Sequence, residues 1–138
     1  MVIGVERGFA LQDADGTITY LPEVWSDMNI RMNEGGCDPN GCFYCGSMAY
    51  DRQPSAAALY RLDPDRSVHV VLRNVTISNG LEWSPDGAHA YYNDTATFQV
   101  SVFDYDTNAG LTNRRVFVDL SADGKSTTEN QAGKPLGP

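Results

Sequence analysis

The sequence predicts an all-β protein, because it is built from short apolar segments separated by turn residues and has no helical periodicity. Nine segments are rich in β-branched or aromatic residues and are bounded by Asp, Asn, Gly or Pro. These predicted strands are residues 2–5, 9–12, 17–21, 42–48, 58–62, 67–72, 88–93, 99–104 and 115–119. No window of 12 or more residues has the spacing of an amphipathic helix, and residues 23–32 have room for one helical turn at most.

Turn motifs of similar composition recur along the chain, at residues 13–16, 38–41, 63–66, 84–87 and 121–124. Gly41 and Gly87 are 46 residues apart, and each precedes an aromatic segment. A repeat of roughly 40–50 residues holding about four strands is typical of a β-propeller blade. At that period the chain contains about three blades, fewer than the 4–8 blades of a propeller. We therefore expect a partial propeller domain in residues 1–120 and a polar, flexible tail in residues 121–138.

Composition and charge exclude several classes of partner. The formal net charge is −8 and the sequence pI is about 4.5. Nucleic acids and anionic membranes both require a basic face, so neither is an expected partner. The sequence has no apolar run near the roughly 18 residues of a transmembrane helix. The first residues lack the basic and long apolar regions of a signal peptide, which predicts a cytoplasmic location.

The three cysteines follow a C-x4-C-x2-C pattern at Cys37, Cys42 and Cys45. This spacing opens the plant-type [2Fe–2S] motif, but the fourth cysteine is missing from the sequence. A Cys₃His zinc site with His69 or His89 is the second metal hypothesis. The favoured interpretation is free thiols in or near the core. Cys42 and Cys45 are three residues apart in a predicted strand and should therefore point to opposite faces.

Hydrolase motifs based on a serine nucleophile are not supported. The chain has two histidines and no nucleophile-elbow pattern, and it has no phosphate-binding glycine loop. His69 and His89 fit surface or half-buried strand positions better than catalytic ones. Asn79 is a better candidate ligand, because Gly80 beside it allows a bend that would direct the amide into a cleft. The alternative for Asn79 is an ordinary Asx-turn.

Four segments together resemble the gluconolactonase family, also called the regucalcin or senescence marker protein family, whose members are six-bladed propellers. Residues 31–41 resemble its R-x-N-D-G-x-x-D-P-x-G run, and residues 43–48 resemble its aromatic strand ending in G-T-M. Residues 78–87 resemble S-N-G-L-x-W-S-P-D-G. The fourth segment comprises residues 102–106 and 113–117. The order and spacing of the four segments make the resemblance specific, and it covers about residues 1–120.

The resemblance implies a lactonase that hydrolyses sugar lactones with one divalent metal ion, Ca²⁺, Mg²⁺, Mn²⁺ or Zn²⁺. In the family a Glu, an Asn and an Asp from different blades hold this ion, and the Asn matches Asn79. Substrate-binding positions match Arg31, Asn33 and Asp51. Such an ion polarises the lactone carbonyl, while Arg31 would offset charge on an oxygen of the substrate. Taken alone, Arg31 also fits a surface ion pair, and Asp51 also fits a solvated loop.

The chain departs from the family pattern at the metal. The family's metal-binding Glu and its metal-binding Asp, which is also the expected general base, have no counterpart in the sequence. The resemblance therefore predicts an incomplete copy, and no catalytic residue is assigned. The alternative is a non-catalytic half-propeller that acts as an interaction or Ca²⁺-binding module. An open half-propeller exposes strand edges, which favour self-association.

Overall fold

The protein consists of three antiparallel sheets, as seen in a computed structural model that describes residues 1–121. The strands are β1 (Val2–Val5), β2 (Gly8–Gln12), β3 (Ile18–Tyr20), β4 (Ile30–Cys37), β5 (Phe43–Ala49), β6 (Ala57–Leu62), β7 (Val68–Val75), β8 (Ser78–Trp83), β9 (His89–Asp94), β10 (Gln99–Asp106) and β11 (Gly110–Asp119). The first sheet has the order β1-β2-β3, the second β4-β5-β6-β7 and the third β8-β9-β10-β11. The all-β prediction and all nine predicted strands are confirmed.

The recurring turns join equivalent strands of the second and third sheets. Gly41 N donates to Asp38 O at 3.1 Å, and Gly87 N donates to Ser84 O at 2.8 Å. Both glycines have positive φ, +87° for Gly41 and +69° for Gly87, which other residues rarely adopt. Each turn connects the first strand of its sheet to the second. The 46-residue spacing between the two glycines is therefore the repeat of one sheet.

Two strands were not predicted, β4 and β8, and both are the first strand of a four-stranded sheet. Each is interrupted by a register shift, between Met32 and Gly35 in β4 and between Ser78 and Leu81 in β8. Gly80 lies inside the second shift with a φ of +135°. These bulges place glycine and polar residues in the strands and break the alternation on which strand prediction depends.

The helical turn allowed for residues 23–32 is not formed. Residues 23–29 form an irregular segment, and β4 begins at Ile30. Trp25 lies in this segment, stacks on Tyr60 with ring centroids 5.2 Å apart, and donates from Nε1 to Ile30 O at 3.0 Å. Tertiary packing of one aromatic side chain thus fixes an irregular segment where the sequence allowed one helical turn at most. Within residues 1–120 the only helical segment is the 3₁₀ turn Thr95–Thr97.

The core lies between neighbouring sheets and forms two clusters. Between the first and second sheets, Phe9 packs edge-to-face against Phe43 with centroids 6.0 Å apart. Between the second and third sheets, Tyr44 packs against Trp83 at 5.3 Å. Tyr92 is buried in the second of these clusters. The second sheet is therefore covered on both faces, and it ties the other two together.

The two buried cysteines belong to different clusters, as the sequence predicts. Cys42 packs between the second and third sheets, and Cys45 packs between the first and second. All three thiols are free, and Cys37 is exposed. Burial is the main cause that raises the pKa of Cys42 to about 11 and that of Cys45 to about 12. Both buried groups are therefore protonated, unreactive thiols at neutral pH.

The histidines occupy strand positions at the surface, as predicted. His69 lies on β7 with its Nε2 3.2 Å from Asp63 Oδ2, and His89 lies on β9 with its Nε2 3.7 Å from Asp104 Oδ1. No helix in the described part of the chain is both long and apolar enough to cross a membrane.

Gly46 of the second sheet lies in close contact with Ser78 of the third. A Cβ at this position would lie 1.8 Å from Ser78 Oγ and 2.1 Å from Ser78 Cβ. Ser78 has no room to move away, because it is buried and the Tyr92 hydroxyl donates to its Oγ at 3.0 Å. Glycine is thus required here by packing rather than by backbone conformation.

We expect Gly46→Ala to lower the free energy of unfolding by about 1–3 kcal/mol or more, because the added methyl forces the sheets apart. Urea denaturation followed by tryptophan fluorescence measures the change. Gly36→Ala is the matched control, since its nearest new contact is Leu81 O at an ordinary 3.5 Å. Equal stability of the two variants would contradict the close approach of the sheets.

The thiols give a second prediction. At pH 8 an aromatic disulfide reagent should label Cys37 promptly, and Cys42 and Cys45 only after denaturation, because burial keeps the latter two protonated and inaccessible. Cys37→Ser should abolish the fast phase. Fast labelling of that variant would show that the inner thiols are not buried.

Candidate functional site

Arg31 is held at the start of β4 by contacts on several sides. Its Nη1 donates to Asn33 Oδ1 and to Met32 O, both at 3.0 Å. Its guanidinium carbon lies 5.5 Å from the centre of the Tyr50 ring, a cation–π contact. Within residues 1–121 Arg31 forms no ion pair with a carboxylate, which was the alternative explanation of this residue. The positive charge is fixed in orientation by neutral groups.

Asn33 connects the second sheet to the third. Its Nδ2 donates to Ser78 O at 2.7 Å across a sequence separation of 45 residues. Ser78 begins β8, and Asn79 follows it directly. The predicted residues Arg31, Asn33 and Asn79 are thus linked through one hydrogen-bonded chain and one peptide unit. All three residues lie on β4 and β8, the adjacent first strands of the second and third sheets, which we call the inner strands.

Asn79 lies in β8 rather than in an isolated Asx-turn. Its Nδ2 donates to Thr95 Oγ1 at 3.2 Å, on the 3₁₀ turn that follows β9. This bond orients the amide, and no donor within residues 1–121 bonds its carbonyl oxygen. An amide carbonyl oxygen is a common ligand of Ca²⁺.

Asp51 lies just after β5 and is exposed. Its Oδ1 accepts from Asn29 Nδ2 at 3.0 Å and from Gln53 N at 3.1 Å. The hydrogen bond from Asn29 is the main cause that lowers the pKa of Asp51, so the carboxylate is ionised at neutral pH. Asp51 follows Tyr50 in the sequence, but its carboxylate makes no hydrogen bond to Arg31, Asn33 or Asn79.

Tyr50 and Glu6 belong to the same region and were missed by the sequence analysis. The Tyr50 hydroxyl donates to a carboxylate oxygen of Glu6, and this bond is the main cause that raises the pKa of the phenol. The two residues are 44 positions apart, so no local pattern could pair them. Glu6 also borders a cavity of about 270 Å³ beside Arg31. The cavity is lined by Gly4, Val5, Glu6, Arg31, Met32, Asn33, Gly35, Phe43 and Cys45.

Asp94, at the end of β9, holds the backbone that leads into the site. It is buried, with 5% of its surface exposed, and its carboxylate accepts from Thr76 N at 2.9 Å and from Ile77 N at 2.8 Å. These amides belong to the turn that leads into β8. Asp94 therefore fixes the position of the start of β8, where Ser78 and Asn79 lie. The sequence gives little hint of this role, because Asp94 reads as the polar end of an aromatic strand.

The described residues do not form a cation cage by themselves. Within residues 1–121, no three His, Cys, Asp or Glu side chains come together in a metal-binding arrangement. Asn79 offers one amide oxygen, and both oxygens of Asp94 are already used by backbone amides. The iron–sulfur and Cys₃His hypotheses are therefore not supported by the placement of these side chains. A cation at Asn79 would need further ligands.

The comparison with known protein families agrees with this geometry. The family described as SMP-30/Gluconolactonase/LRE-like region matches residues 1–133. The chain belongs to this family. Regucalcin from Danio rerio is 44% identical over 126 residues, which is 88% of this chain and 43% of the relative. The chain spans less than half the length of the curated relatives it matches.

Solved structures show the same architecture. A luciferin-regenerating enzyme superimposes with a TM-score of 0.80 at 31% identity, covering 89% of this chain and 44% of that protein. A calcium-binding protein, regucalcin from Agrobacterium tumefaciens, gives a TM-score of 0.78 at 28% identity, covering 86% of this chain and 41% of that protein. The three sheets are thus blades of a β-propeller, as the 46-residue repeat predicts.

We expect Asp94→Asn to lower the free energy of unfolding by about 1–3 kcal/mol, because the amide nitrogen cannot accept from a backbone N–H. Thermal or urea denaturation measures the loss. Asp13→Asn, at an exposed position, should change stability by less than about 0.5 kcal/mol. If both variants are equally stable, Asp94 does not anchor the turn before β8.

Proposed function

We propose that this site binds a sugar lactone and takes part in its hydrolysis with the help of a divalent cation, Ca²⁺, Mg²⁺, Mn²⁺ or Zn²⁺. The observation that supports this most directly is the hydrogen-bonded chain from Arg31 through Asn33 to Ser78 O, at the start of β8. This chain orients the Arg31 guanidinium and the Asn33 amide on β4 and joins them to the neighbouring strand β8. Membership of the gluconolactonase family supports the same reaction class.

The residues suit a polar, uncharged ring with several hydroxyl groups. Arg31 would donate to the carbonyl or ring oxygen of the lactone and stabilise the negative charge that develops there when water attacks. Its neutral partners leave that charge available, unlike a guanidinium in an ion pair. Asn33 and the ionised Asp51 would hydrogen-bond sugar hydroxyls.

The cation is proposed for a site that this chain supplies only in part. Asn79 contributes one amide oxygen, and residues 1–121 do not add a set of acidic ligands to it. The general base is likewise not among the residues that the geometry identifies, so no proton-transfer step is assigned. The sugar lactone as partner and the cytoplasmic location stay predictions.

A second function is favoured by the same incomplete ligand set. A half-propeller without a full cation cage fits a non-catalytic module that binds Ca²⁺ weakly or another protein. The Agrobacterium relative is described as a calcium-binding protein. Binding of Ca²⁺ detected by calorimetry, together with no lactone turnover, would favour this second function over hydrolysis.

The test of the first proposal is hydrolysis of D-glucono-1,5-lactone by the purified chain with Mn²⁺, Zn²⁺ or Ca²⁺, each compared with EDTA. We expect cation-dependent turnover, followed by the acid released. Arg31→Ala should lower kcat/KM by about 100-fold or more, because it removes the donor to the developing oxyanion. Asn79→Ala should abolish the cation-dependent turnover, because it removes a ligand of the cation.

Asn108→Ala is the matched control, since Asn108 lies in the turn between β10 and β11, at the other end of the third sheet from Asn79. It should leave turnover unchanged. No turnover with any cation, or equal turnover in EDTA, would contradict a cation-dependent lactonase activity of this chain.

A further inference from the structure

Glu6 and Arg31 carry opposite charges and line the same cavity of about 270 Å³. The turn that carries Glu6 is tied to β4, because Met32 N donates to Glu6 O at 3.0 Å and Met32 follows Arg31 in the chain. A carboxylate and a guanidinium in such a place usually form a charge-assisted hydrogen bond. Within residues 1–121 these two side chains form none with each other. Another group must therefore keep them apart.

Tyr50 contacts both charges. The face of its ring lies against the Arg31 guanidinium, whose carbon is 5.5 Å from the ring centre, and its hydroxyl donates to the Glu6 carboxylate. The backbone of Tyr50 is held independently, because its N donates to Asn29 O at 2.8 Å. One side chain thus satisfies the cation with its ring and the carboxylate with its hydroxyl.

The groups that orient the Arg31 guanidinium are neutral acceptors. Asn33 Oδ1 and Met32 O each accept from Nη1 at 3.0 Å, and Met48 Sδ accepts from Nη2 at 3.2 Å. None of these three groups carries a charge, so the positive charge of Arg31 is not neutralised by the residues that hold it. A carboxylate at the same guanidinium would compete with a substrate oxygen for its N–H groups.

The cation next to Glu6 in the chain is already paired. Arg7 follows Glu6, and its Nη2 donates to a carboxylate oxygen of Glu23. Among the residues that line the cavity together with Glu6, the cation is Arg31. If the Tyr50 hydroxyl were removed, Arg31 is therefore the partner to which the Glu6 carboxylate would turn.

We propose that Tyr50 is a positioning residue for Arg31, which keeps the Glu6 carboxylate from pairing with the guanidinium and so leaves the positive charge for the substrate. This role rests on the proposed function, in which Arg31 stabilises the negative charge that develops on a lactone oxygen. Tyr50 needs no contact with the substrate for it. The hydroxyl acts by holding Glu6, and Glu6 lowers the activity only when that hydroxyl is missing.

Substitutions at Tyr50 and Glu6 should therefore be strongly non-additive. Removing the hydroxyl releases a carboxylate that neutralises Arg31, whereas removing the carboxylate charge leaves nothing to release. The second substitution should reverse the effect of the first, which is the signature of two residues that act through one contact. A tyrosine that only stabilised the fold, or that bound the substrate through its hydroxyl, would show no such reversal.

The experiment compares the wild-type chain, Tyr50→Phe, Glu6→Gln and the double variant in the hydrolysis of D-glucono-1,5-lactone with Mn²⁺. Phenylalanine keeps the ring on Arg31 and removes only the hydroxyl, so we expect kcat/KM to fall about tenfold, less than for Arg31→Ala. The double variant should recover most of this loss. Glu6→Gln alone should lower kcat/KM less than Tyr50→Phe does, because the glutamine carbonyl oxygen still accepts from the tyrosine hydroxyl.

A second measurement observes Arg31 without any turnover. The NMR signal of the Arg31 Nε–H group, assigned by its loss in Arg31→Lys, should shift in Tyr50→Phe and return towards its wild-type position in the double variant. The shift reports the new contact with Glu6, because the aromatic ring stays in place. If the wild-type chain does not hydrolyse the lactone, the proposed function fails, and this signal alone decides whether Tyr50 separates Glu6 from Arg31.

Tyr20→Phe is the matched control, because it removes the hydroxyl of an exposed tyrosine on β3 and should change neither measurement. Circular dichroism checks that every variant is folded, as expected for Tyr50, which is 53% exposed. Unchanged activity of Tyr50→Phe in an active protein, or an Arg31 signal that does not move, would overturn the proposal. A double variant no more active than Tyr50→Phe would also overturn it, and would show that the hydroxyl acts on the substrate directly.

Discussion

The candidate site depends on the position of Ser78 between the second and third sheets. Its side chain fills the space that Gly46 leaves open, and its Oγ accepts a hydrogen bond from the Tyr92 hydroxyl. Its carbonyl oxygen accepts from Asn33 Nδ2. One residue therefore sets the distance between two sheets and joins the polar groups above them. Sheet packing and site geometry are two results of the same constraint.

In the second and third sheets, the sequence predicted the outer three strands but missed the first strand of each, β4 and β8. Turns such as 38–41 and 84–87 have a local chemical signature, and the strands that follow them are rich in aromatic residues. The strands β4 and β8 were missed because they contain Gly35, Gly80 and polar residues. Inner strands of neighbouring sheets approach closely and carry the candidate site, so they need small and polar side chains that weaken the strand pattern.

The site was predicted through a resemblance, and the structure adds what a resemblance cannot supply. Arg31 and Asn33 have the residue types of a known motif, but the motif does not say that neutral groups surround the guanidinium. Contacts between distant positions, such as Tyr50 with Glu6 and Asp94 with the Thr76 amide, leave no local trace in a single sequence. Such contacts follow from how the sheets stack, and stacking is fixed only by the whole chain.

The order of the strands also bears on how the molecule forms. In the second and third sheets every strand pairs with its neighbour in sequence, so each sheet can assemble from its own consecutive residues without waiting for the rest. Closing such short loops costs little entropy. The slower events are then the joints between sheets, where Ser78 must seat against Gly46. During synthesis, the second sheet can be complete before the third leaves the ribosome, and it offers a finished surface on which the third sheet docks.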